Sequence, residues 1–146
     1  MRRVLGIDFG RERIGVAVSD PLNIIARGVT VVRNTPRAAE EIRKLADEFD
    51  VGEIIVGLPL ELSGRRGTAA AEAERFMDLL KTATGREIVP WDERYSTHGA
   101  HRSMRMMGAR KSRRQSKSSI DEMAAAIILQ GYLDNRKIAS ERPRPQ

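Results

Sequence analysis

Acidic residues at three places in the chain have the type and spacing needed for metal-dependent chemistry. Asp8 lies inside the apolar run VLGIDFG, Asp92 and Glu93 follow the run REIVPW, and Asp121 opens the last predicted helix. A carboxylate within an apolar strand is costly unless it is paired, hydrogen-bonded or bound to a metal. Hard divalent cations prefer oxygen ligands, and two such ions can activate water and stabilise the leaving oxygen of a phosphodiester. The combination predicts a hydrolytic metal site.

Each acid also has an interpretation without chemistry. Asp8 could end a strand and face solvent, and the acidic pair after REIVPW could bind the neighbouring Arg94. Because side chains alternate across a strand, only one acid of that pair can share a face with Asp8. Ser119 and Glu122 match an S-x-x-E capping box, and a first-turn acid such as Asp121 is favoured by the helix dipole. Taken together, the acids favour the chemical interpretation.

A strip of cations precedes the last acid. The chain carries 26 Lys and Arg against 20 Asp and Glu, a net charge of +6. From Arg94 to Ile120 there is no Asp or Glu, whereas eight Lys or Arg occur there, so the positive charge is local. Such a patch binds polyanions by counterion release. The predicted nucleic-acid-binding residues, here called the basic strip, are Arg102, Arg105, Arg110, Lys111, Arg113, Arg114 and Lys117.

The remaining composition limits the class of protein. A chain of 146 residues with 40% hydrophobic and 32% charged residues is typical of one globular domain. Without cysteine it can form neither disulfides nor thiolate metal sites. Charged residues interrupt the apolar opening before a signal peptide forms, and no run has membrane-spanning length. We therefore expect a cytoplasmic protein without a membrane partner, either a monomer or a weak homodimer.

The first half of the chain predicts strands followed by a helix. Three β-branched runs, VLGIDFG, IGVAVSD and IIARGVTVV, are separated by short turns and should form antiparallel strands. Thr35 as the N-cap and Pro36 as the first helical residue open a helix. The run EIIVGLPL is a fourth strand, and residues 67–84 form a second helix that Gly85 closes. The fifth strand, REIVPW, follows a helical crossover and should be parallel to the fourth.

Two more helices are expected, over residues 97–107 and from Ser119 to about Asp134. The polar, proline-rich tail 137–146 should be disordered because it has nothing to bury. The order of elements describes an α/β layer structure on one mixed sheet.

Four motifs in order resemble the YqgF family of pre-16S rRNA nucleases, also described as Holliday junction resolvase-like proteins. They are GIDFGRERIGVAVSD, EIIVGLPLELSG, VPWDERYST and KSSIDEMAAAIILQGYLD, and the similarity spans residues 3–134. The sequence ELSG after GLPL and Tyr95 after DER depart from the family's usual pattern. The departure after GLPL places an extra acid, Glu61, near the expected substrate groove.

This resemblance implies a fold, a site and an activity. The implied fold is RNase H-like over residues 1–136, with a central mixed five-stranded sheet, its first three strands antiparallel and its last two parallel to the first. The implied catalytic and metal-binding residues are Asp8, Glu93 and Asp121, with Mg²⁺ or Mn²⁺ as cofactor. The implied activity is an endonuclease that acts on structured nucleic acid, with 5′-end processing of pre-16S rRNA favoured and structured DNA as the other substrate. Ribosomal precursor particles are a further partner that this activity would allow.

Three alternative functions remain open at this point. A resolvase of four-way DNA junctions would need a dimer for symmetric cleavage. A ribosome-assembly factor would bind RNA without cutting it, and an incomplete set of acids would be its mark. A phosphotransferase related to sugar kinases would need a second large lobe, for which 146 residues leave no room.

Overall fold

A five-stranded mixed sheet forms the centre of the computed structural model, which describes residues 2–58, 68–92 and 117–141. The sheet has the order β3-β2-β1-β4-β5. Its first three strands are antiparallel neighbours, whereas β4 is parallel to β1 and β5 is parallel to β4. The predicted fold class is therefore confirmed. The strands are β1 (Arg3–Asp8), β2 (Arg13–Ser19), β3 (Ala26–Arg33), β4 (Val51–Leu58) and β5 (Glu87–Asp92).

Helices cover both faces of the sheet. Helices α1 (Ala38–Glu48) and α2 (Thr68–Thr84) pack on one face, where Ile42 and Leu80 join the buried strand residues Leu5 and Ile54. Helix α3 (Lys117–Glu141) packs on the other face, here called the α3 face. The sheet is thus buried on both sides, which explains its nearly continuous β-branched runs. Within residues 2–58, 68–92 and 117–141, no helix is long and apolar enough to cross a membrane.

The ends of the first two helices only partly match the predictions. Helix α1 begins at Ala38 rather than at Pro36, because Thr35 and Pro36 form a turn ahead of it. In that turn the Thr35 hydroxyl accepts the Arg37 N–H at 3.2 Å and the Thr35 carbonyl accepts the Ala38 N–H at 3.0 Å. The predicted end of α2 is confirmed: Gly85 has φ +65° and its N–H donates to the carbonyl of Lys81 at 2.9 Å.

Helix α3 is longer than predicted at both ends. It begins at Lys117, so Ser119 lies within its first turn and the predicted capping box is wrong. It also continues to Glu141, past the expected end at Asp134 and into the predicted tail. Packing on the sheet stabilises a helix beyond its local end signals, and the ion pair of Arg136 with Glu53 at 2.9 Å ties this extension to β4. The predicted helix over 97–107 and residues 142–146 lie outside the described residues.

Candidate active site

Asp8 lies on the α3 face at the carboxyl end of the central strand. Along β1, Leu5 and Ile7 are buried against α1 and α2, whereas Val4 is buried on the opposite, α3 face. Because side chains alternate, Gly6 and Asp8 also belong to the α3 face. A Cβ atom added to Gly6 would lie 2.7 Å from Leu129 Cβ, which shows how closely α3 approaches the strand. Asp8 is half-buried and lies two residues after Gly6 on the same strand.

Gly15 brings the backbone of Asp121 close to Asp8. Gly15 is the β2 partner of Asp8 in the sheet register. A Cβ atom at Gly15 would lie 2.9 Å from the carbonyl carbon of Asp121 and nearer still to its oxygen. Only glycine permits this approach of helix to strand. The structure therefore brings together two of the predicted site residues, Asp8 and Asp121, on one face and at one end of the sheet.

A third glycine extends the same contact surface to β3. A Cβ atom at Gly28 would lie 3.0 Å from Glu122 Cβ, one residue along the helix from Asp121. Helix α3 thus lies across β1, β2 and β3, each of which presents a glycine beneath it. The small residues of the strands set the distance between the helix and the sheet. That distance in turn fixes the position of Asp121.

Arg13 is a candidate site residue that the sequence-based prediction missed. Its Nε donates to Asp121 Oδ2 at 3.0 Å, and the side chains are 36% and 30% exposed. Arg13 lies two residues before Gly15 on β2 and so shares the α3 face with it. A charge-assisted bond of this kind orients the carboxylate. In the sequence, Arg13 could have been placed on this face only by the alternation of side chains along β2. There Arg13, Gly15 and Ala17 alternate with the buried Ile14, Val16 and Val18.

The end of β5, where Asp92 stands, lies at the same edge of the sheet as Asp8. Trp91 is the register partner of Gly57, and Gly57 is the partner of Asp8. The Trp91 ring packs on Tyr132 of α3 with centroids 5.4 Å apart, so Trp91 faces α3. The backbone of Asp92 ends β5, and Glu93 lies outside the described residues. The basic strip also lies outside them, except for the backbone of Lys117 at the start of α3.

The far half of α3 is anchored to β4 by Tyr132. The Tyr132 hydroxyl donates to Glu53 Oε1 at 2.9 Å, and Arg136 donates to the same oxygen. Burial, and after it the hydrogen bond to Glu53, together raise the pKa of Tyr132 to about 12. With Gly6, Gly15 and Gly28 at one end and this network at the other, α3 has a defined position on the sheet.

The donor atoms at this end of the sheet suit a hard divalent cation. Asp8 and Asp121 supply carboxylate oxygens, the ligands that magnesium and manganese prefer. In the part of the chain that the structure describes, no group of three His, Cys, Asp or Glu is arranged to hold a metal. Glu93 is not in that part. A cation bound to Asp121 Oδ2 would compete with Arg13 for that oxygen.

The strand order, the parallel β1-β4-β5 core and an acid at the end of β1 define an RNase H-like fold. A Thermus thermophilus RuvC structure solved with a Holliday junction substrate matches with a TM-score of 0.60. It is 17% identical, and the match covers 94% of this chain and 96% of that one. The fowlpox virus Holliday junction resolvase matches with a TM-score of 0.52 at 6% identity, over 92% and 99% of the two chains. At these identities the likeness establishes the fold alone.

Residues 2–135 match the family model described as RuvX, Holliday junction resolvase, and the chain belongs to this family. A protein of Desulfitobacterium hafniense named "Putative pre-16S rRNA nuclease" is 43% identical over 132 residues, which cover 90% of this chain and 92% of the relative. A Clostridium botulinum protein of the same name is 42% identical over 135 residues, covering 91% and 97%. The resemblance drawn from the four motifs is confirmed, and the chain is a nuclease of this family.

Proposed function

We propose that this nuclease is a metal-dependent endonuclease that processes the 5′ end of pre-16S rRNA. The observation that carries the proposal is the convergence of Asp8 and Asp121 on the α3 face, at the carboxyl end of β1. In open α/β sheets, ligands bind at the carboxyl ends of the strands. The names of the curated relatives favour the rRNA substrate.

Asp8, Asp121 and Glu93 would hold Mg²⁺ or Mn²⁺. Bound ions of this kind activate a water molecule and stabilise the leaving oxygen of a phosphodiester. Glu93 is favoured over Asp92 by the resemblance of the motif DER to the family's pattern. Arg13 would keep Asp121 oriented toward the site. The three acids give the oxygen-rich donor set that these metals need.

The basic strip would hold the nucleic-acid backbone beside the acids. Its cations end where α3 begins, and Asp121 follows in the second turn of that helix. A phosphate held there lies close to carboxylates that would otherwise repel it. We expect the substrate to be presented within ribosomal precursor particles in the cytoplasm, with the protein acting as a monomer or a weak homodimer.

Cleavage of four-way DNA junctions is the second candidate. The family description and the junction-bound RuvC structure favour it. Two symmetric cuts would require two copies of the site and therefore a dimer. Cleavage assays on precursor rRNA and on a DNA junction, each with and without manganese, separate the two activities. Binding of both substrates without cleavage of either would favour a ribosome-assembly factor.

Asp8→Asn tests the proposal because it removes a charged ligand while keeping the shape of the side chain. We expect cleavage to slow by roughly a hundred- to ten-thousandfold, which is a loss of about 3 to 5 kcal/mol of transition-state stabilisation. Nucleic-acid affinity should be retained. Magnesium should raise the melting temperature of the wild type more than that of the variant, because a ligand stabilises the state that binds it.

Asp78→Asn is the matched control. Asp78 is exposed on α2, on the face of the sheet opposite α3, and loses the same charge. Its cleavage rate and its response to magnesium should equal those of the wild type. Wild-type cleavage by Asp8→Asn would refute the site.

A further inference from the structure

Two arginines lie directly opposite each other at the end of the sheet that carries Asp121. Arg13 of β2 and Arg33 of β3 are register partners in an antiparallel pair. Arg13 is on the α3 face, and Arg33 alternates with Val32, which is buried on the other face. Partners of this kind have Cβ atoms about 4.5 to 5.5 Å apart, and like charges there are destabilising. An anion between the two side chains would remove that cost.

These arginines line a groove beside the site. The groove, here called the arginine groove, has a volume of about 410 Å³ and lies between the β1–β2 turn and the β3–α1 turn. Its walls are held by hydrogen bonds, in which the Asn34 N–H donates to the Glu12 carbonyl and the Asn34 side-chain amide donates to the Gly10 carbonyl, both at 2.9 Å. The lining residues are Arg11, Glu12, Arg13, Arg33, Asn34 and Thr35.

The lining carries three positive charges and one negative charge. Arg11 forms a long ion pair with Glu72 at 3.4 Å. The Arg11 side chain is largely exposed, and that of Glu72 is half-buried. Arg13 is shared with Asp121. Within the described ranges of the chain, no carboxylate forms an ion pair with Arg33, which is exposed. Arg33 therefore has the guanidinium best placed to take an external anion.

We propose that the arginine groove binds a backbone phosphate of the nucleic acid next to the bond that is cut. This inference rests on the proposed nuclease site and deepens it. Arg33 contacts the phosphate, while Arg13 lies between that phosphate and Asp121. A guanidinium presents planar donors that match two phosphate oxygens. The groove would thus give the substrate a contact of its own beside Asp121.

Arg33→Ala tests this assignment, and Arg27→Ala is its matched control. Arg27 is also an exposed arginine of β3, but its register partner is Val18, which is buried against α1 and α2. The two variants lose the same charge from the same strand on opposite faces. Affinity for an RNA duplex and for a DNA duplex of equivalent sequence is measured across a salt series. Because the proposal concerns backbone phosphates, both duplexes should respond.

For Arg33→Ala on duplex DNA we expect the slope of log affinity against log salt to fall by about 0.9, which corresponds to one lost phosphate contact. From 50 to 200 mM salt, the affinity of the variant should then decrease about 3.5-fold less than that of the wild type. Arg27→Ala should keep the wild-type slope. The melting temperature of Arg33→Ala should equal or exceed that of the wild type, because a like-charge pair is removed.

An unchanged salt slope in Arg33→Ala, or an equal change of slope in Arg33→Ala and Arg27→Ala, would refute phosphate binding in the arginine groove. The salt titrations are repeated with each arginine substitution combined with Asp8→Asn, because Asp8→Asn should bind the nucleic acid without cutting it. The binding measurement then tests the groove, and the cleavage rate of Asp8→Asn alone tests the acids. A normal salt slope for Arg33→Ala together with inactive Asp8→Asn refutes the groove and leaves the nuclease site intact. A reduced slope together with active Asp8→Asn supports the phosphate contact and refutes the acids.

Discussion

Replacing Gly15 by Ala should move α3 without removing Asp121, so it tests whether activity depends on the position of that acid. The added Cβ would lie 2.9 Å from the carbonyl carbon of Asp121, whereas carbon atoms pack about 3.5 to 4.0 Å apart. The obstacle is helix backbone, which cannot rotate away as a side chain can. Helix α3 must therefore withdraw from β2 by about 1 Å at this point. Asp121 moves with it, away from Asp8 on the adjacent strand.

Two quantities should change in Gly15→Ala. Overpacking of this kind lowers the free energy of unfolding by about 1 to 3 kcal/mol. Displacement of a catalytic group by about 1 Å can cost on the order of a hundredfold in rate. Urea denaturation measures the first quantity, and cleavage of precursor rRNA at a temperature where both proteins are folded measures the second. Every candidate ligand remains in the chain, so a loss of rate reports position alone.

Gly52→Ala provides the control for Gly15→Ala. A Cβ atom at Gly52 would lie 2.9 Å from Arg2 Cβ, at the amino end of β4, whereas Asp8 pairs with Gly57 near the other end of that strand. Gly52→Ala should therefore also crowd its neighbour and can lower stability, but it leaves α3 in place against β2, so cleavage should remain close to that of the wild type. If Gly15→Ala retained wild-type stability and rate, α3 would not lie against β2 as described and the glycine contact could not position Asp121.

Two further predictions concern hydrogen bonds that hold the sheet and α3. The buried Ser19 hydroxyl accepts the Val4 N–H at 2.8 Å, so Ser19→Ala should leave that donor unsatisfied and lower the free energy of unfolding by about 1 to 3 kcal/mol, as measured by urea denaturation; an unchanged value would contradict the bond. The folded pKa of Tyr132, about 12, is raised above the ordinary value of 10.0 by burial and by Glu53, so its stabilisation is complete below pH 10 and lost between pH 10 and 12. The melting temperature should fall through that window, and Tyr132→Phe should flatten the fall; equal profiles would refute the role of the bond.

Local signals in the sequence were sufficient to predict most of the sheet. Short turns between the first three apolar runs require antiparallel neighbours, and a helix between the last two requires a parallel pair. The left-handed conformation of Gly85 follows from the same kind of local rule. Helix ends were harder, because Thr35 caps a turn rather than the helix itself. The S-x-x-E pattern at Ser119 matched a capping box although the helix begins earlier.

The arrangement of the site could be predicted only in part. The types of Asp8 and Asp121 indicated the chemistry, but nothing local shows which helix lies on which strands. The glycines of β1, β2 and β3 allow a close contact, but a glycine does not identify the element that approaches it. The bond between Arg13 and Asp121 joins residues 108 positions apart, and such contacts depend on the whole fold. Glu93 lies outside the described residues, so its role stays a prediction.

The docking of α3 also has a consequence for the order in which the protein becomes active. During synthesis, β1, β2 and β3 emerge first and can pair through short hairpins, whereas Asp121 follows Arg13 only after 108 further residues. Contacts between distant segments form late, because loop closure must precede them. A nascent or partly folded chain therefore holds Asp8 without its partner acid. With the site proposed above, hydrolytic activity would arise only when the last helix closes on the sheet.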